Sequence, residues 1–131
     1  MSIEQVIIAR LKGFAELNNL IAGRVYSGIA PKGTANPLVM FQEISSEPIR
    51  TMGGDTGLVR ARYQFDVYAK GSESRINVTT ALKKALRRWK DGTTEPQIEV
   101  CYIQSSADMF EDKERLYRKR IDVEVNYVES L

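Results

Sequence analysis

Over the twelve residues Leu58 to Ala69, the side chains Val59, Ala61, Tyr63, Phe65, Val67 and Ala69 alternate with Leu58, Arg60, Arg62, Gln64, Asp66 and Tyr68. Successive side chains of a strand point to opposite faces, so this run predicts a strand with one buried and one wet face. Near the end of the chain the pattern returns. Tyr117, Ile121, Val123, Val125 and Tyr127 share one parity, and Arg118, Arg120, Asp122, Glu124 and Asn126 the other. Two such strands call for a sheet that is covered on one side only.

The cover comes from two helical stripes. Ser2 and Gln5 form a capping box ahead of Ile3, Val6, Ile7, Leu11, Phe14 and Leu17, with Arg10 alone interrupting the stripe. Gly23 offers a left-handed stop, which predicts a helix from Ile3 to Asn18 or slightly beyond. Ser72 or Ser74 is expected to cap a second helix, with a stripe of Ile76, Thr79, Leu82, Leu86 and Trp89 and an end at Asp91-Gly92. Arg24 to Tyr26, Leu38 to Ile44 and Gln97 to Gln104 read as further strands. Ser27 to Asn36 reads as a surface loop, Ser45 to Gly57 as a long mobile connection with a glycine run, and Ser105 to Glu114 as a polar, acidic loop. The order α-β-β-β-α-β-β predicts an α+β fold, a mostly antiparallel sheet of four to five strands with two helices on one face. Ile7, Leu11, Phe14, Phe65, Val67, Leu82, Leu86, Ile121 and Val123 are its expected core.

The 131 residues suit one domain spanning positions 1–131. A chain of this size buries roughly two-thirds of its unfolded surface, enough for a core without staples. Hydrophobic residues at 43% and charged residues at 27% argue against disorder. The net charge of +2, from 19 basic and 17 acidic residues, is too balanced to require nucleic acid. Cys101 is the one cysteine, so no internal disulfide forms and a reducing compartment is the natural setting. No apolar run exceeds four residues, which argues against a membrane span or a secretory signal.

Residues that could carry chemistry are sparse. The chain has no histidine, which removes the commonest general base, the Ser-His and Cys-His nucleophiles and most zinc sites. Cys101, among Val100, Tyr102 and Ile103, reads as a buried apolar residue rather than a nucleophile. Glu43, Asp66, Asp122 and Glu124 lie on strands and would suit acid–base or metal work. Arg60, Arg62, Arg118 and Arg120 share those polar faces, however, so cross-strand ion pairing is the simpler account. Gly53 to Gly57 lacks a P-loop lysine and precedes a strand, so it is no phosphate cradle. Lys83, Lys84, Arg87, Arg88 and Lys90, on the basic helix 74–90, read as a solvated face, with a small α+β nucleic-acid-binding module as the alternative. No enzyme and no cofactor is expected.

Several pieces in order carry a family resemblance: Gly23-Arg24-Val25-Tyr26, Ala30-Pro31, Asn36-Pro37 opening a hydrophobic strand, Ala61 to Tyr68, Leu116-Tyr117-Arg118, and Asp122 to Tyr127. Together, from about Leu11 to Tyr127, they resemble the phage tail-completion family, related to the tail-terminator and tail-to-head joining proteins of long-tailed bacteriophages. The resemblance implies a structural morphogenesis protein in the virion neck, assembled in the bacterial host cytoplasm. It implies a ring of copies of this chain, typically hexameric, seated on the tail-tube protein and facing the head connector protein. DNA would pass through the ring, and no membrane would be involved. Another connector or neck role fits the same resemblance.

The two long connections, Ile49 to Gly57 and Ser105 to Glu114, are the expected contact surfaces, because functional contacts concentrate on such loops. The candidate partner-binding residues are Arg50, Met52 and Asp55 in the first and Met109, Phe110, Glu111 and Asp112 in the second.

Overall fold

A computed structural model describes residues 2–51, 54–111 and 115–129, with the side chains of residues 50, 51, 54–56 and 111 outside that description. Three helices, α1 (Ile3–Gly13), α2 (Ala15–Ile21) and α3 (Ser72–Leu86), accompany five strands: β1 (Val25–Ser27), β2 (Leu38–Thr51), β3 (Gly54–Ala69), β4 (Gln97–Glu111) and β5 (Leu116–Val128). The sheet order is β1-β2-β3-β5-β4. The short β1 runs parallel to β2 and every other pairing is antiparallel, so the α+β class holds with a mixed, mostly antiparallel sheet.

The capping box forms as expected, with the Gln5 N–H donating to Ser2 Oγ at 3.2 Å and the Ser2 N–H to Gln5 Oε1 at 2.8 Å. The long first helix does not. It breaks at Phe14, whose backbone is extended (φ −87°, ψ 99°), directly after Gly13, a poor helix former. A third helix, α2, therefore turns off and closes on two left-handed residues, Ala22 (φ 50°) and the expected Gly23 (φ 76°). The interruption of the apolar stripe by Arg10 has a use. Its Nε donates to the Ala85 carbonyl at 3.0 Å, in the last turn of α3, where a cation complements the helix dipole. The same guanidinium lies 5.2 Å from the Phe14 ring centre and 5.6 Å from that of Trp89.

At the other end of α3, no side chain caps the helix: Gly71 is the cap residue, in place of Ser72 or Ser74. The helix stops at Leu86, well before Asp91-Gly92. Arg88 takes a left-handed backbone (φ 55°) and its N–H donates to the Cys101 carbonyl at 3.1 Å, which turns the chain onto β4. Trp89 is buried all the same, just beyond the helix. Ile76 is the error in the expected stripe, being 53% exposed.

All the expected core residues are buried except Phe14, which is partly buried against the core. Phe41, Tyr63 and Phe65 form its aromatic centre, with Phe41 stacked on Phe65 at 5.3 Å.

The largest departure concerns the two long connections. Ser45 to Thr51 continues β2, Gly54 to Gly57 belongs to β3, and Ser105 to Glu111 continues β4. Single-residue irregularities in register fall at Ile44, Glu99 and Gln104, and a larger one sets Ile49 of β2 against residues 56–58 of β3. A bulge of this kind resets the period-two alternation, which is why these stretches read as loops. Pro48 is accommodated because β1 pairs with β2 only over Val39 to Phe41, which leaves β2 an edge at Pro48.

Candidate functional site

Strand register fixes where the two hairpins point. Leu58 of β3 pairs with Val128 of β5, and Ala69 pairs with Tyr117. Thr51 and Gly54, the facing ends of β2 and β3, therefore lie at the Val128 end of the sheet, and Glu111 and Leu116, the facing ends of β4 and β5, at the Ala69 end. A strand as long as β3 spans roughly 50 Å at about 3.3 Å per residue, so the two tips are far apart. The candidate residues divide accordingly. Arg50 and Asp55 form a register pair at one end, and Met109, Phe110 and Glu111 pair with Arg118, Tyr117 and Leu116 at the other. Met52 and Asp112 lie outside the described residues.

Met109 and Phe110 are 39% and 47% exposed and, as neighbours on one strand, face opposite sides of the sheet. Phe110 is not wholly free. Its ring meets Tyr117 at 5.1 Å in an edge arrangement, and the Arg75 guanidinium lies 5.2 Å from the centre of Tyr117.

The sheet face opposite the helices is a charge lattice, and it is not wet throughout, contrary to expectation: Gln64 and Asp66 are buried within it. Arg118 Nε donates to Asp66 Oδ1 at 3.0 Å, and Gln64 Nε2 to Asp66 Oδ2 at 3.0 Å. Asp122 accepts from Ser105 Oγ at 2.8 Å and from Arg120 Nε at 3.4 Å, while Arg60 reaches Glu47 and Glu124. Of the four carboxylates weighed for acid–base work, Glu43, Asp66, Asp122 and Glu124, the last three are each paired with an arginine, as the ion-pairing account expects. Among the described residues no group of three metal-ligating side chains converges. The basic cluster is divided as well. Lys84 pairs with Glu16 of α2 at 3.0 Å, whereas Arg87 and Arg88 lie past the end of α3.

Burial, opposed by the charge of Arg10, pushes the Cys101 thiol up to about 12. Tyr127 is pushed up to about 12 by burial and then by Glu129, and Tyr63 is raised further by burial and by Glu4, whose carboxylate accepts its hydroxyl at 3.2 Å. These groups are neutral when protonated and hold their protons more tightly folded than unfolded. Their contribution to stability is complete below about pH 8.5 and is lost as pH rises toward 12. The melting temperature is therefore expected to fall steadily from about pH 9 upward, and Cys101→Ala to delay the onset. A flat profile to pH 11 would contradict the burial of these groups.

Residues 5–127 match the family described as tail completion protein gp17. The chain belongs to that family. Among solved structures it is similar to a chain of the virion of a native gene transfer agent particle, with a TM-score of 0.81 at 14% identity, covering 97% of this chain and 95% of that one. At that identity the likeness carries the fold. No curated protein matches the chain. Membership of the tail completion family makes this a phage tail structural protein, and no helix among its described residues is long and apolar enough to cross a membrane.

The sequence reading missed the open strand edges. It also missed the grouping of Arg75, Asp108 and Lys119, side chains from α3, β4 and β5 that meet only in the fold.

Proposed function

We propose that this chain caps the head-proximal end of the tail tube and joins tail to head, as a ring of its own copies. The observation that carries this reading is the opposed placement of the two hairpins on one rigid sheet. A joining protein must present different surfaces to two partners along one axis. Here Arg50, Met52 and Asp55 would meet one of them, and Met109, Phe110, Glu111 and Asp112 the other. The tail-tube protein and the head connector protein are the two partners, and DNA passes through the ring.

Self-assembly is supported by the sheet's edges. Among the described residues β4 pairs with β5 alone of the strands, apart from the single Asp91–Ile98 bridge at its start, and the edge of β2 away from β3 has no strand partner beyond Phe41. Because β4 runs with β3 and against β2, a neighbouring copy's β2 laid beside β4 would be antiparallel. Such a contact is head-to-tail and can close into a ring, for which six subunits is the number the family resemblance implies. The mixed charges of the open sheet face suit contacts between subunits.

Assembly without this protein tests the reading. Tails of uneven, excessive length beside tailless heads are expected by electron microscopy. Joined particles of normal tail length would contradict the proposed function.

A further inference from the structure

Between α3 and the β4–β5 hairpin lies an open cleft of about 320 Å³, lined by Arg75, Ile76, Thr79, Lys83, Asp108 and Lys119 among others. Three cations and one carboxylate line it. Asp108 Oδ1 is shared by Arg75 Nη1 at 3.6 Å and Lys119 Nζ at 3.3 Å, and Lys83 has no ion pair among the described residues. The Arg75 and Lys119 side chains are only 17% and 18% exposed, so their charges are held at the cleft rather than spread in solvent. Three cations against one carboxylate leave the cleft short of negative charge, which points to a missing anionic partner.

We infer that this cleft receives an acidic segment of a partner protein, an Asp or Glu carboxylate with an apolar neighbour. The carboxylate would accept from Lys83 and Lys119, charge-assisted bonds that strengthen with partial burial. The apolar neighbour would cover Ile76, 53% exposed on the cleft lining, or Phe110, 47% exposed beside Tyr117. The guanidinium of Arg75 is already engaged by Asp108, by Ser72 Oγ at 3.3 Å and by the Tyr117 ring, so it offers no free fork for a phosphate. A continuous phosphodiester would also set successive charges against Asp108, which is 53% exposed at the cleft. A single carboxylate avoids both obstacles. The inference stands apart from the tail-joining role, since it concerns the chemistry of the cleft in the free chain.

The test is an amide chemical-shift titration of the isotopically labelled full chain with the blocked peptide acetyl-Leu-Glu-Glu-Leu-amide. Saturable shifts confined to residues 75–83 and 106–110 are expected. They should vanish with the Gln-for-Glu peptide, and Lys83→Gln should weaken binding about tenfold, the worth of about 1.4 kcal/mol. Ile76→Ser, a change at an exposed position, should weaken it separately. Equal shifts with the neutral peptide, or no saturable shifts, would overturn the inference. So would saturation of the same amides by inorganic phosphate or short single-stranded DNA when the peptide leaves them unmoved.

Discussion

Phe65→Ala is expected to cost about 3–5 kcal/mol of unfolding free energy, a large share of what holds a domain of this size together. Phe65 lies on the central strand β3, fully buried, opposite Phe41 on one side and Ile121 on the other. Its ring stacks on Phe41 at 22°, and removing it deletes that contact and leaves a void between sheet and helices. The surroundings cannot close it, because Tyr63 is held by its hydroxyl on Glu4 and the strands are fixed by their ladders. A urea titration reads the effect as a lowered midpoint with the slope unchanged. A loss under half a kcal/mol would show that this face of β3 does not bear on the core.

The second large effect is on assembly. Met52→Ser with Phe110→Ser is expected to leave melting nearly unchanged, while tails fail to join heads or grow to abnormal length. Phe110 is half exposed and its contact with Tyr117 is a cross-strand aromatic pair, worth roughly 0.2–1 kcal/mol. If the hairpin ends serve different partners, as proposed, the single variants should separate. One would disturb the contact with the tube, and the other the contact with the head connector. Identical defects from both singles would argue against two distinct surfaces, and normal yield and tail length from the double variant would place docking elsewhere.

The central strand was legible because nothing interrupts its period. Leu58 to Ala69 pairs without a bulge against β5, so each side chain keeps its predicted face. β4 carries the same inward pattern, through Ile98, Cys101, Ile103, Ser106, Asp108 and Phe110, but the unpaired Glu99 and Gln104 each shift it by one. No window of fixed period can follow that. The break at Phe14 was hidden for a related reason: its ring keeps the stripe's spacing while its backbone leaves the helix. Choosing residues on the hairpin ends as contact candidates needed only composition and length. Seeing that those ends are opposed needed the register. The cleft lay beyond sequence altogether, because Arg75, Asp108 and Lys119 are brought together by α3 crossing the β4–β5 hairpin, and each alone is an ordinary surface charge.

The most direct measurement for the account as a whole is the position and copy number of this chain in assembled particles, by electron cryomicroscopy of the neck region. A single closed ring on the tail axis, between the last tube ring and the head connector, is the predicted result. Copies distributed along the tube, or one copy off the axis, would contradict it.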